Sequence, residues 1–266
     1  MSTLPLSGFR PDMIIWSADV PLKDLRKVIK AGILPEGTVI KLDRLFFEVH
    51  PKNIISEIQN EGYPVFVDAK IIEIPDKSIA IAETYLKYHP FMLNIMAGAC
   101  STGMTESDNP KKLDTLKRFA DICEEAGTKS CAVTVLTSKS PDLVLREFHQ
   151  NPLDQVVEYV KLMHSAGITD IVCSPMETVE IRDHAEFDDM DINTPGVRLP
   201  DSSKDDQARI ATPFDALNNG STRLVIGRDL IRGEEDIVTR VRGNYDKILT
   251  NIFGEPYTKL CSIIGQ

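Results

Sequence analysis

Eight short apolar runs recur along the 266-residue chain, and longer stretches with helical spacing separate them. The runs are about four to seven residues long, several are rich in Val and Ile, and most have polar residues close behind. This pattern is typical of strands that are buried in a parallel sheet. The predicted strands are Met13–Ser17, Val39–Leu42, Val65–Val67, Phe91–Met96, Cys131–Leu136, Ile168–Cys173, a weak Met190–Thr194, and Arg223–Ile226.

The stretches between the runs predict helices, most clearly in three places. In Pro51–Gly62, the apolar residues Ile54, Ile55 and Ile58 share one helical face. Similar spacing predicts helices in Leu113–Gly127 and Val156–Gly167. All three stretches end in glycine, which commonly ends a helix.

The repeated order of strand and helix limits the fold class. Eight units in this length average about 33 residues each, which fits a βα repeat, and eight such units close most naturally into a TIM barrel. We predict an α/β protein with a single (β/α)8 domain over residues 1–266, its barrel at about 12–253 and a less ordered tail at 254–266. The alternative is an open doubly wound sheet, which usually has a glycine-rich turn where this chain has Ala18–Pro21.

Composition excludes several classes of function. The 40 Asp and Glu outnumber the 30 Lys and Arg, and this net charge of −10 argues against a general nucleic-acid binder while leaving a small anionic ligand possible. No apolar stretch is long enough for a membrane span, and the N-terminus lacks the apolar core of a signal peptide. Five widely spaced cysteines favour a reduced, cytoplasmic protein, and the five histidines show no metal-ligand spacing.

Charged side chains collect where the predicted strands end, which is where TIM barrels place their active sites. The densest group is Asp68, Lys70 and Glu73 after the third run, with Lys41 at the end of the second. Asp68 and Lys70 are two positions apart, so both should face the mouth of the barrel. We interpret this group as a pre-organised polar network, and the alternative is a structural cluster of ion pairs.

A second group predicts an anion site. Gly227 and Arg228 close the eighth run, at the place where these barrels usually bind phosphate. Arginine offers a planar fork of donors, and glycine lets backbone N–H groups approach an anion. Arg198 and Gln207 lie in the long irregular segment after the seventh run and can close over the same site. The alternative for Arg228 is an ordinary exposed arginine.

The segment DAKIIEIPDKS at residues 68–78 resembles the DxKxxDIP signature of orotidine 5′-monophosphate decarboxylases. The resemblance runs from Asp19 to Arg228, and it is nearest to the bacterial branch of the family. Further segments resemble that family in the same order: VTVLTS (133–138), IVCSP (171–175), TPGVR (194–198), DQARIATP (206–213) and VIGR (225–228).

The resemblance implies a TIM barrel that forms homodimers, with active sites at the subunit interface and with no metal or organic cofactor. It implies conversion of orotidine 5′-monophosphate to UMP and CO₂ in pyrimidine biosynthesis. In that reaction Lys70 would donate a proton to the carbon that loses CO₂. Asp68 would lie near the substrate carboxylate, and Lys41 would hold Asp68 and a ribose hydroxyl.

The resemblance also assigns substrate-binding roles. Asp19 would bind the ribose and Thr137 would face the pyrimidine. The 5′-phosphate would be held by Arg198, Gln207 and Arg228, with Gly227 beside them.

Four residues depart from the family pattern. The family has a charged tetrad, of which Lys41, Asp68 and Lys70 match three members. The fourth member is usually an Asp from the other subunit, and here it is Glu73. Lys77 replaces a Thr that contacts the ribose. Met96 replaces a frequent His, and Asp43 replaces a common Gly. These departures leave two alternatives open. One is a metal-dependent sugar-phosphate lyase or synthase, opposed by Lys41 at the metal-ligand position although Asp43 is nearby. The other is a non-catalytic nucleotide-binding protein.

Overall fold

A computed structural model describes residues 3–99, 109–202 and 210–254, and its strands form one closed barrel. Every neighbouring pair of strands is parallel, and the first strand pairs with the last through Ile14 and Leu224. The predicted (β/α)8 barrel is therefore confirmed, and the open doubly wound sheet is excluded. The strands are β1 Ile14–Ser17, β2 Val39–Asp43, β3 Val65–Ile71, β4 Met92–Met96, β5 Lys129–Val133, β6 Asp170–Val172, β7 Asp191–Thr194 and β8 Arg223–Ile226.

Helices surround the barrel, and all three helices that we located by spacing are present, with shifted ends. Several begin with a side-chain cap: the Asp236 carboxylate, for example, accepts from the backbone N–H groups of Val238 and Thr239. Within the described residues the helices are α1 Leu22–Lys30, α2 Arg44–Val49, α3 Ile54–Asn60, α4 Pro75–Leu86, α5 Asn109–Glu125, α6 Pro141–Phe148, α7 Pro152–Ser165, α8 Thr178–Asp183, α9 Pro213–Asn218, α10 Arg228–Ile231 and α11 Ile237–Phe253.

The apolar core has two parts because each strand presents alternate residues to opposite sides. The larger part fills the space between the strands and the helices. A smaller cluster is buried separately, and we place it inside the barrel; it contains Ile15, Val39, Phe66, Met92, Cys131 and Val225. These apolar side chains fill the middle of the barrel, and polar side chains are therefore found at its two ends.

The fifth strand differs from its prediction. It begins at Lys129, two residues before the predicted Cys131, and ends at Val133. Hydrophobicity alone misses this start, because Lys129 is held by ion pairs to Asp170 and Asp191, at 3.4 and 3.1 Å. The predicted continuation to Leu136 instead forms a loop beyond the end of the strand.

Lys129 belongs to a polar group at the N-terminal ends of the strands, which we call the lower cluster: Lys129, Asp170, Asp191, Asn193 and Arg223. The Arg223 guanidinium donates to Asp170 and Asp191 at 2.8 Å each, and Asn193 Nδ2 donates to Asp170 Oδ1 at 3.1 Å. Burial raises the pKa of Asp170, and Asp191 adds to this effect, although Lys129, Arg223 and Asn193 oppose it. The sequence analysis did not identify this cluster.

The chain before β1 covers the same end of the barrel. Asp12 accepts from Arg223 Nε at 3.2 Å, and the backbone N–H of Leu4 donates to Ile252 at 2.8 Å. Phe9 also packs edge-on against Phe253.

The predicted tail beyond Gly254 lies outside the described residues, and the domain limits remain a prediction. No helix in the described ranges has the length and apolar character needed to cross a membrane.

Candidate active site

A cavity of about 360 Å³ opens at the C-terminal ends of the strands. The ends of β1, β2, β3, β5, β6 and β8 contribute to its wall, as do the loops after β5 and β7. The cavity brings together residues that are far apart in the sequence. Eight of the predicted site residues line it: Asp19, Lys41, Asp68, Lys70, Thr137, Arg198, Gly227 and Arg228.

Two lysines form ion pairs with one carboxylate on the floor of this cavity. Lys41 Nζ lies 2.6 Å from Asp68 Oδ2, and Lys70 Nζ lies 2.6 Å from Asp68 Oδ1. Asp68 is only 6% exposed, and its burial favours the neutral acid. The charges and hydrogen bonds of the two lysines outweigh burial and hold the pKa of Asp68 far below its usual range. Asp68 is therefore a fixed negative charge between two ammonium groups.

Asn94 completes this group, and the sequence analysis missed it. Its Nδ2 donates to Asp68 Oδ1 at 2.7 Å, and its Oδ1 accepts from the Lys70 backbone N–H at 2.7 Å. We call Lys41, Asp68, Lys70 and Asn94 the upper cluster. One signal was present in the sequence: Asn94 is a polar residue within an otherwise apolar run, and such a residue is buried only with partners.

The backbone at Lys70 is strained. Its φ is +43°, in the left-handed region that L-residues with long side chains rarely adopt. The pairing of β3 with β4 also shifts register between Val67 and Ile71, so the strand does not run on regularly through Lys70. The hydrogen bond from the Lys70 N–H to Asn94 holds this conformation. Strain that is retained by surrounding contacts commonly marks a functional position.

A glycine in the loop after β8 leaves room in the cavity at the end of β1. Ser17 Oγ donates to Asp19 Oδ2 at 3.0 Å. A Cβ at Gly227 would lie 3.3 Å from Ser17 Cβ and 3.6 Å from the Asp19 carboxylate. Gly227 therefore keeps the cavity open beside Asp19, in addition to exposing its backbone.

The two arginines come from different loops and line the same cavity. Arg198 lies in the loop after β7 and is only 6% exposed. Its Nη1 donates to the Val197 carbonyl, and its Nε lies 4.0 Å from Asp229 Oδ1. Arg228 is the first residue of α10. A buried cation that lines a cavity is suited to an anionic ligand, because desolvation strengthens the attraction.

Apolar residues and hydroxyl groups line the rest of the wall. Val135 and Leu136 lie next to Thr137 and Ser138 in the loop after β5. Phe66 and Val172 also contribute apolar surface. A ligand with an apolar part, a polar edge and an anionic group matches this combination of surfaces.

Two predicted site residues in the described part of the chain do not line its cavity. Glu73 and Lys77 are exposed, just beyond the end of β3 and within α4. Gln207 lies outside the described residues. The roles of Glu73, Lys77 and Gln207 remain predictions.

The carboxylate that kept the metal-dependent alternative open is engaged elsewhere. Asp43 Oδ1 accepts from the Phe46 N–H at 2.8 Å and caps α2. Among residues 3–99, 109–202 and 210–254, no group of three or more His, Cys, Asp or Glu side chains is placed to hold a metal ion.

The family model named orotidine 5′-phosphate decarboxylase / HUMPS family matches residues 12–242, which is most of the chain. The chain belongs to this family. Orotidine 5′-phosphate decarboxylase of Staphylococcus saprophyticus is 32% identical over 197 residues, covering 73% of this chain and 80% of the relative. The enzyme of that name from Fusobacterium nucleatum is 32% identical over 212 residues, covering 77% and 81%.

Solved structures agree with the fold. The crystal structure of orotidine 5′-phosphate decarboxylase from Lactobacillus acidophilus matches with a TM-score of 0.68 and 25% identity, covering 88% of this chain and 98% of that chain. An uncharacterized conserved protein from Geobacillus kaustophilus shares the fold, with a TM-score of 0.65 and 20% identity over 87% of this chain and 99% of its own. The resemblance drawn from residues 68–78 is thus confirmed at the level of the family.

Proposed function

We propose that the chain is an orotidine 5′-phosphate decarboxylase, a carboxy-lyase that forms UMP and CO₂. The observation that carries this proposal is the upper cluster, in which Asp68 is fixed between Lys41 and Lys70 on the floor of a cavity with two arginines. Family membership and relatives of that name, about a third identical over most of their length, support the same activity.

The two arginines and the upper cluster bind different parts of the nucleotide. Arg198 and Arg228 hold the 5′-phosphate, with Gly227 beside them, and Gln207 is proposed as a further donor. Asp19 and Lys41 bind the ribose, and Thr137 faces the pyrimidine. Binding at the phosphate, remote from the reacting carbon, supplies energy that positions the base over the upper cluster.

The chemical step breaks the bond between the ring carbon and the carboxylate. CO₂ leaves, and the electron pair stays on the ring carbon. Asp68 repels the substrate carboxylate before the step, and this repulsion falls as the charge moves onto the ring. The Lys70 ammonium stabilises the developing charge and donates its proton to the same carbon. The pair of Lys41 and Asp68 keeps that ammonium at a fixed position, so little reorganisation is required.

The fourth charge of the tetrad comes from a second copy of the chain in this proposal. Glu73 is exposed in a single copy and lies outside its own cavity. The surrounding surface is unusually apolar: Leu45, Val49, Ile72 and Ile74 are 59–74% exposed. Covering this surface in a homodimer places Glu73, and Lys77 from the same segment, at the partner's site. Large exposed apolar side chains near such a segment favour an interface.

The protein acts on a small nucleotide in the cytoplasm in this proposal, as a step of pyrimidine biosynthesis. Cys123, Cys131 and Cys173 are buried free thiols, and burial raises the pKa of Cys123 to about 12. Such thiols are unreactive and are compatible with a reducing compartment.

The decisive experiment is a UV assay of orotidine 5′-monophosphate turnover by the purified protein, without added metal. We expect loss of substrate absorbance with stoichiometric UMP. Absence of turnover by a folded, dimeric protein would overturn the proposed activity. Turnover that requires a divalent metal, and stops with EDTA, would favour the metal-dependent alternative.

A further inference from the structure

The two arginines lie on different loops, so contacts between these loops hold the arginines at their relative position. Arg198 follows β7, and Arg228 follows β8. Both line one cavity, and an anion that binds both requires them at a fixed separation. The contacts between the loop after β7 and α10 therefore determine how well this end of the cavity can bind an anion.

A single buried carboxylate makes three of these contacts. Asp229, next to Arg228, is only 4% exposed. Its Oδ2 accepts from the backbone N–H of Leu199 at 2.7 Å and from Ser202 Oγ at 2.7 Å. Its Oδ1 lies 4.0 Å from Arg198 Nε. The loop is thus tied to α10 at two points that follow Arg198 in the chain, and Arg198 itself lies beside a buried negative charge.

We propose that Asp229 is a positioning residue, which sets the geometry of Arg198 relative to Arg228 for binding a phosphate monoester. Removing its carboxylate leaves the Leu199 N–H and Ser202 hydroxyl without their acceptor, so the loop must rearrange to satisfy them. The nearby guanidinium would also lose a compensating charge. This proposal rests on the proposed function, because it takes the phosphate of a nucleotide as the ligand.

The chain offers a matched control for this contact. Arg232, at the other end of α10, also reaches the loop: it donates to the Asp201 carbonyl at 3.2 Å and pairs with the Asp201 carboxylate at 3.1 Å. This link is exposed, and exposed ion pairs contribute little to stability. R232A therefore removes a contact between the same two segments without removing the buried carboxylate.

The test measures binding of UMP and of uridine by calorimetry to wild type, D229A, D229N and R232A. We expect D229A to weaken UMP at least about tenfold and to leave uridine within about twofold, since only UMP carries the phosphate. D229N keeps an oxygen acceptor and should fall between D229A and wild type. R232A should bind both ligands like wild type.

Two outcomes would overturn the positioning role. These are equal losses for UMP and uridine in D229A, which indicate a general structural role, or a D229N variant indistinguishable from wild type. If D229A does not fold, D229N and R232A carry the comparison alone. Failure of wild type to decarboxylate orotidine 5′-monophosphate while it binds UMP would contradict the proposed function and leave the role of Asp229 to these measurements.

Discussion

The upper and lower clusters use the same three types of side chain at opposite ends of one barrel. In each, a lysine and an asparagine bind a buried aspartate: Lys70, Asn94 and Asp68 above, and Lys129, Asn193 and Asp170 below. The upper cluster lines an open cavity, whereas the lower cluster is covered by the chain before β1.

Their aspartates respond differently to burial. Burial raises the pKa of both carboxyl groups, but two lysines reverse the effect at Asp68. At Asp170 the neighbouring carboxylate of Asp191 opposes the cations, and the pKa stays raised. Residue types alone therefore do not identify an active site. An excess of cations around one carboxylate, together with an opening to a cavity, distinguishes the upper cluster.

The largest expected difference between the clusters concerns their lysines. K70A should lower kcat for decarboxylation by about 10³-fold or more, because it removes the proton donor and the charge that stabilises the carbanion. K129A should lower thermal stability and leave kcat within about threefold. Steady-state kinetics and thermal unfolding of the two variants check this contrast. Near-normal turnover by K70A would refute the assignment of the proton donor.

The arginines should separate binding from stability. R228A should raise the KM for orotidine 5′-monophosphate by about a hundredfold, since a charged partner of the phosphate is lost. R223A breaks a buried ion network and should lower the free energy of unfolding by about 3–5 kcal/mol. Kinetics and urea denaturation of both variants measure these effects. An unchanged KM in R228A would remove that residue from the phosphate site.

The asparagines give a smaller contrast. N94A should lower kcat by about 10- to 100-fold, because the strained backbone at Lys70 loses its acceptor and the ammonium shifts. N193A should cost about 1–3 kcal/mol of stability with little change in kcat. The same two assays apply. Equal kcat in N94A and N193A would show that the bridge to Lys70 has no role in the reaction.

The smallest effect concerns the pH dependence of stability. A raised pKa at Asp170 means that its ionised form costs folding free energy, fully above the folded-state pKa and not at all below the ordinary 3.8. D170N removes this cost, so its stability relative to wild type should rise as pH increases above about 4.

Asp68 should behave in the opposite way. Its lowered pKa contributes stability above 3.8, which is lost as pH falls through the folded-state pKa. The difference between D68N and wild type should thus be flat near neutral pH and shrink only in strong acid. Chemical denaturation at a series of pH values tests both variants. Parallel pH profiles for D68N and D170N would show that the two carboxylates are equivalent.

The barrel was predictable because buried parallel strands are continuous apolar runs, and eight of them were visible. The ends of strands were less predictable. β8 begins at Arg223 as predicted, but β5 begins two residues before its predicted start, at Lys129, whose charged side chain has its partners on other strands. Charge pairing between strands is a tertiary property, and hydrophobicity along one segment does not contain it.

Much of the candidate site was predictable for a related reason. The rule that strand ends carry function located Lys41, Asp68, Lys70 and Arg228 correctly at the cavity. Asn94 was missed because it lies inside β4 and not beyond it. The strained backbone of Lys70 has no sequence signature, since any residue can be forced into it by its surroundings. The role of Asp229 could not be predicted either, because its hydrogen-bond partners lie about thirty positions earlier in the chain.

Closure of the barrel between β1 and β8 has a consequence for synthesis of the chain. Ile14 pairs with Leu224, so β1 waits for a partner that is translated about two hundred residues later. At about 5–20 residues per second, this interval lasts about 10–40 s. During it, β1 presents an unpaired edge, of the kind that invites association with other chains. A nascent chain that lacks β8 is therefore expected to depend on chaperones, and a truncation within β8 should aggregate instead of forming a smaller barrel.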